Sequence, residues 1–190
     1  MENKDATWLA NFRDERSSFA PSKYVFLSAD STLKGDNDKR KYEKARTLKS
    51  CIVRVRESYR RAMESNDSVA NQLGVCTYLI DKLALRVGNE KGEDEADTVG
   101  CCSLRVEHIK FPSDTEIELN FLGKDSMQYL NTVEVDPLVQ RHLRKFCEAK
   151  QPNMDIFEKI NAGRLNDFMK ESMENLSAKV FRTYNASHTL

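Results

Sequence analysis

The sequence predicts an α+β fold, mostly helical, with a small antiparallel sheet. Three observations carry that reading. Apolar residues recur at three- and four-residue steps through Tyr42, Ala45, Leu48, Ile52, Val55 and Tyr59, and again through Val69, Leu73, Cys76, Leu79, Ile80, Leu83 and Ala84. That is the spacing of one helical face, and the second stripe is wide enough for a central helix. Ile117, Leu119 and Phe121 alternate with Glu116, Glu118 and Asn120, the period of a strand with one buried side. Asp136-Pro137 has the cap residue and first-turn proline that open a helix.

In chain order, Thr7–Leu9 and Lys23–Leu27 read as short extended pieces rich in β formers. Ser28–Asp38 is rich in Ser, Asp, Asn and Gly and reads as a loop and a domain boundary. A long helix is predicted from about Asp38, capped within Asp36–Asp38 and broken at Asn66-Asp67-Ser68. After the second helix, Gly88–Gly100 is an acidic loop and Leu104–Ile109 is strand-like. Glu116–Leu122, the turn Gly123-Lys124-Asp125 and Met127–Val135 form a predicted hairpin. A helix follows from Asp136 to about Ala149, then helical turns at Ile156–Ile160 and Gly163–Glu174, and a last helix from Ala178. Residues 1–35 are assigned to the end of one lobe and 36–190 to a second.

Composition excludes several classes. The 190 residues carry 30 Lys plus Arg against 30 Asp plus Glu, a net charge of zero, unlike the basic excess of a simple nucleic-acid-coating protein. No stretch approaches the roughly 20 apolar residues of a membrane helix, so no membrane partner is expected. The five cysteines are odd in number and lack a C-x-x-C pair, which fits reduced thiols better than a disulfide scaffold. His108, His142 and His188 show no zinc spacing, and no metal site is assigned. Gly123-Lys124-Asp125-Ser126 is no P-loop, because Glu118 stands where its first glycine belongs and Asp125 where Ser or Thr should follow the lysine. Asp36-Asn37-Asp38 is no calcium loop, having Lys41 in place of the loop glycine.

The neutral total hides segregation. Lys39–Arg61 has ten basic and two acidic residues, net +8, while Asn89–Thr98 is net −4 and Phe111–Asp136 net −5. So few carboxylates offset the basic helix that phosphate contact competes with the reading of a solvated face.

Three islands carry more than pattern: Ile80-Asp-Lys-Leu-Ala-Leu-Arg-Val-Gly-Asn-Glu-Lys91, Phe121-Leu-Gly-Lys-Asp-Ser126 and Ala178-Lys-Val-Phe-Arg-Thr-Tyr-Asn-Ala-Ser187. With Thr98–Ile109 between the first two, and Lys34-Gly35 then Lys41–Arg46 before them, they closely resemble the core of the eukaryotic DNA topoisomerase IB family. The resemblance runs from about Thr7 to Leu190. It implies the catalytic-core fold shared with tyrosine recombinases. It also implies relaxation of supercoiled double-stranded DNA without metal, ATP or other cofactor, and a nuclear location or a DNA-containing organelle. In that chemistry a tyrosine attacks a phosphodiester, forms a 3′-phosphotyrosyl bond, frees a 5′-hydroxyl and is later displaced by it. Charge accumulates on the non-bridging oxygens, which guanidinium forks suit, and the leaving oxygen needs a proton.

By position, the resemblance implies catalytic roles for Arg86 and Arg182, as the two arginines on the phosphate, and for Lys124, as proton donor at the hairpin tip. Each alone reads more simply as a surface charge; their joint context changes that. Implied DNA contacts are Lys23, Tyr24, Arg86, Val87, Gly88, Asn89, Glu90, Lys91, Thr98, Ser126, Ser177, Ala178 and Lys179, with turn and cap roles compatible for Gly88 and Ser177. They position the duplex and imply weak sequence preference.

The family also uses a histidine beyond the second arginine's helix and then the nucleophilic tyrosine. His188 comes too soon after Arg182, and neither Tyr129 nor Tyr184 lies in the nucleophile's motif. The 190 residues are therefore expected to be a fragment that lacks both and neither cleaves nor relaxes DNA alone. Their expected partner is a tyrosine-bearing C-terminal segment or a separate small subunit. The competing readings are a non-catalytic DNA-binding derivative, a tyrosine recombinase relative and, more remotely, a helical interaction domain.

Overall fold

A computed structural model describes residues 8–12, 22–26, 28, 32–88 and 97–189. The chain divides into two compact units, Met1–Glu43 and Lys44–Leu190. In the first, β1 (Trp8–Phe12) pairs antiparallel with β2 (Lys23–Phe26), with Trp8 opposite Phe26 and a bulge between Trp8 and Ala10. The Trp8 and Tyr24 rings lie 5.6 Å apart.

Helix α1 runs from Thr32 to Glu64, and the boundary between units falls within it. It starts earlier than its sequence suggests, and Gly35 and Asp36–Asp38 lie inside it. Each such residue costs a helix at most about 1 kcal/mol, whereas extending an existing helix adds a hydrogen bond without a new nucleus. At its far end three carbonyls, those of Ala62, Met63 and Ser65, accept from the Asn71 side-chain amide at 2.9–3.0 Å. His142 Nε2 also reaches the Met63 carbonyl.

Helix α2 (Ser68–Leu83) is the central element of the second unit. The Asp67 side chain caps it by accepting from the Val69 and Ala70 N–H groups. Val75, Cys76, Leu79 and Ile80 are fully buried. Gly74 brings α2 against α1, since a Cβ there would lie 2.7 Å from both the Tyr59 carbonyl oxygen and Met63 Cγ. All five cysteines are free, and burial pushes the Cys76 and Cys101 thiols up.

The predicted strand at 104–109 is replaced by two 3₁₀ turns, Cys101–Ser103 and Val106–His108, followed by the two-residue β3 (Ile109–Lys110). Local side chains select the turns: Ser103 Oγ accepts from Gly100 N–H at 3.1 Å, and His108 Nδ1 from Arg105 N–H at 3.0 Å. β4 (Glu116–Leu122) pairs with β3 on one side and β5 (Gln128–Glu134) on the other, all antiparallel. Ile117, Leu119 and Phe121 point inward as their alternation predicts.

Helix α3 (Pro137–Cys147) starts with the Asp136 carboxylate accepting from Leu138 N–H at 2.9 Å. Residues 151–160 form turns in place of the expected helical segment; Ile156 and Phe157 are buried there. Helices α4 (Ala162–Ser172) and α5 (Ala178–Thr189) complete the unit, α5 burying Ala178, Val180 and Phe181. The fold is α+β and mostly helical. Among the described residues no helix is long and apolar enough to cross a membrane, and no cluster of potential metal ligands occurs.

Candidate active site

The second unit contains a cleft of about 580 Å³ whose walls come from four separate stretches of sequence. Arg86, Val87 and Gly88 form one wall and Thr98, Val99 and Gly100 the next. Lys124 and Asp125 come from the β4–β5 turn, and α4 with the start of α5 supplies Asn166, Ser177, Lys179 and Arg182 among others.

Backbone bonds set the first three walls in register. Helix α2 stops where Ala84 turns into the left-handed region at φ 52°, and buried Leu85 anchors the next residue while exposed Arg86 faces out. The Arg86 and Val87 carbonyls accept from the N–H groups of Cys101 and Cys102, each at 2.7 Å. Gly88, at φ +79°, lies against Gly100 so closely that a Cβ on either would collide with the other's backbone. One residue before Gly100, Val99 N–H donates to the Leu122 carbonyl at 2.7 Å, and Leu122 ends β4 two residues before Lys124. A single short segment, 99–101, therefore ties the Arg86 loop to the hairpin tip. At that tip Asp125 and Ser126 both adopt positive φ, 62° and 56°, and the Lys124 side chain is 60% exposed.

Arg182 comes from α5. The buried Phe181 fixes its neighbour, and Asn185, three residues on, donates to the Asp81 carbonyl of α2 at 2.6 Å. The helix begins at the cleft, where the Ser177 carbonyl accepts the first intrahelical bond from Val180 N–H, so first-turn N–H groups add partial positive charge.

The electrostatics are one-sided. The lining residues include four cations, Arg86, Lys124, Lys179 and Arg182, and one carboxylate, Asp125. Among the described residues neither Arg86 nor Arg182 has a carboxylate partner. Burial, and then the positive charge of Arg86, lowers the Arg182 pKa below the ordinary arginine value. Two guanidiniums that line one cleft and have no carboxylate partner among the described residues suit an anion, and their forks suit phosphate oxygens.

The cleft gathers Arg86, Val87, Gly88, Thr98, Lys124, Ser177, Ala178, Lys179 and Arg182 of the residues singled out in the sequence. Ser126 follows Asp125 in the same turn but does not line the cleft. Lys23 and Tyr24 are exposed on β2, in the first unit. Asn89, Glu90 and Lys91 lie outside the described residues. Sequence reasoning missed Asn166 on α4, which lines the same wall as Arg182. Its only signal is its place one residue after buried Leu165, on a helix facing the cleft.

No tyrosine lines the cleft among the described residues. Tyr59 is committed elsewhere, donating to Asp81 at 3.0 Å, and burial followed by the Asp81 charge pushes its phenol up. Tyr129 stacks on Phe121 at 5.0 Å. Tyr184 and His188 lie ring to ring, 5.6 Å apart.

Sequence comparison places this helical chain, with its three-stranded sheet and cationic cleft, in one family over most of its length. Residues 30–190 fit the sequence profile of the eukaryotic DNA topoisomerase I catalytic core, and the chain belongs to that family. It is 50% identical to DNA topoisomerase 1 beta of Arabidopsis thaliana over 184 residues, which are 97% of this chain and 20% of that protein. It is also 50% identical to DNA topoisomerase 1 of Schizosaccharomyces pombe (strain 972 / ATCC 24843) over 185 residues, 97% and 22% of the two chains. Against DNA topoisomerase 1 of Homo sapiens it is 48% identical over 195 aligned positions, covering all of this chain and 25% of that protein. The chain thus spans about a fifth to a quarter of these relatives' length.

Proposed function

We propose that this chain is the phosphate-gripping part of a nuclear type IB DNA topoisomerase. It binds duplex DNA and supplies Arg86, Lys124 and Arg182 to the transient single-strand cleavage and resealing that relax supercoils, a reaction whose tyrosine nucleophile comes from a further segment or a separate subunit. The observation that carries the reading is that these three cations, far apart in sequence, line one cleft with a single carboxylate.

Arg86 and Arg182 hold the two non-bridging oxygens of one phosphodiester and neutralise the charge that grows there as the tyrosine oxygen attacks phosphorus. The P–O5′ bond breaks as the P–O(Tyr) bond forms, and the phenol proton passes to water. The Lys124 ammonium gives its proton to the departing 5′ oxygen, and its exposed, flexible stem at a hairpin tip suits reach toward the duplex. Resealing reverses each movement. Lys179 and the first N–H groups of α5 hold a neighbouring phosphate, and Asn166 is a further hydrogen-bonding group on that wall. These contacts favour no base. Lys23, Tyr24, Val87, Gly88, Asn89, Glu90, Lys91, Thr98, Ser126, Ser177 and Ala178 complete the proposed DNA contacts.

Duplex binding tests the reading directly. Affinity measured by fluorescence anisotropy should fall linearly on a log–log plot of salt, by roughly a thousandfold between 50 and 200 mM if about six phosphates are neutralised. Arg86→Ala and Arg182→Ala should each weaken binding by about tenfold, as loss of a charge-assisted contact does. Salt-independent binding, or full affinity in both variants, would contradict the assignment.

A further inference from the structure

The last carbonyls of a helix have no partner within it, and at the end of α2 one of them is taken by another helix. Asn185 Nδ2 on α5 donates to the Asp81 carbonyl at 2.6 Å. The same Asp81 carboxylate is fully buried and holds α1: Arg56 donates to it through Nε at 2.9 Å and Nη2 at 3.3 Å, and the Tyr59 hydroxyl at 3.0 Å. One residue thus fastens α1 by its side chain and α5 by its main chain.

Each side of the fastening point is close in sequence to one arginine of the cleft. Arg86 is five residues beyond Asp81. Arg182 is three residues before Asn185, close to one helical turn and hence on a neighbouring face. Both guanidiniums line one cleft, and their like charges act on one another. Their separation decides whether both can reach the oxygens of one phosphodiester, a group only a few ångströms across. An angular or translational error of about 1 Å in such a site is enough to lose most of its effect.

We propose that Asn185 is a positioning residue: its hydrogen bond to the Asp81 carbonyl sets the spacing at which Arg86 and Arg182 grip the same phosphate. This rests on the reading of the cleft given above. The Asn185 amide acts through the two helices, and the contribution is cooperative. With the bond in place the arginines bind as a pair, and without it each binds alone.

The test is a double-mutant cycle on duplex binding by the whole chain, using Arg86→Ala, Arg182→Ala and both together, with Asn185 intact and with Asn185→Ala. With Asn185 intact, the double variant should bind about tenfold tighter than the two single losses multiplied together imply, the coupling expected of contacting partners. In the Asn185→Ala background that factor should fall to about one. Asn185→Asp has the same shape without the donor and should behave like alanine. His142→Ala, which removes the bond to the Met63 carbonyl, serves as a control for mere destabilisation and should leave the coupling in place. Coupling that survives both Asn185 variants, or that His142→Ala abolishes equally, overturns the positioning role while leaving the cleft assignment standing. If neither arginine affects DNA binding in the parent chain, the cleft reading falls and this proposal with it. Should Asn185→Ala fail to fold, hydrogen exchange of the Asn185 side-chain amide in the unaltered chain decides. Protection supports the bond, and exchange at the solvent rate overturns it.

Discussion

His108 shows how one buried side chain shapes the path to the cleft. It is 8% exposed, and its Nδ1 accepts the Arg105 N–H, which requires a neutral ring. Burial, and then the nearby Arg105 charge, lowers its pKa below the ordinary histidine value. A base whose folded pKa is depressed binds more protons when unfolded, so stability rises with pH across the interval between the two values. The His108 contribution is complete above the ordinary histidine pKa of about 6.5 and is lost as pH falls from there through the lowered folded value. Urea unfolding at pH 7.5 and pH 5 should therefore show a drop that is smaller in His108→Gln. An identical pH dependence in the variant would contradict this. None of it was legible in the sequence, where His108 showed only that it lacks zinc-site spacing. Its burial depends on Phe121, whose ring centroid is 6.1 Å away across the sheet. Arg86, Lys124 and Arg182 were singled out by their motifs, but that Arg86 and Lys124 share one cleft depends on the 99–101 segment, and Arg182 joins them through the packing of α5; no periodicity reveals either.

At the scale of elements, α1 corrects a simple reading of charge. Its net +8 stretch suggested a phosphate-facing surface, yet three of its arginines are engaged within the fold. Arg54 donates to the Ser172 carbonyl at 2.7 Å, Arg56 pairs with buried Asp81, and Arg60 bridges Glu64 and Asp136. Fewer of its cations are left for phosphate contact than the charge count implied. Arg56→Ala should destabilise the chain by about 2 kcal/mol because it strands a buried carboxylate. The figure is below that for a fully buried pair, since Arg56 is 39% exposed. Thermal unfolding measures it, and an unchanged midpoint would contradict the role given to Asp81. The helical stripes of α1 and α2 and the alternation in β4 were plain in the sequence because burial on one face imposes a period. The turns at 101–108 and 151–160 were not, because side-chain bonds to nearby backbone and isolated apolar anchors leave no period to read.

For the molecule as a whole, a net charge of zero is the sum of a basic cleft, a basic helix and acidic segments elsewhere. That partition lets a neutral chain hold an anion at one place. It also leaves the proposed chemistry divided: the cations assigned to the phosphate line the cleft, and the cleft holds no tyrosine among the described residues. These residues alone should therefore grip duplex DNA without cutting it. The most direct measurement supplies the rest, with the tyrosine-bearing region of a family relative added to this chain. It then follows the covalent protein–DNA adduct in a single turnover on a duplex substrate. The account predicts an adduct that depends on the chain. Lys124→Ala should slow its formation by about a hundredfold or more, as loss of a general acid does, while duplex affinity changes only a few-fold. Equal losses in cleavage and binding, or an adduct that forms at the full rate without Lys124, would contradict the claim that this cleft is the site of strand transfer.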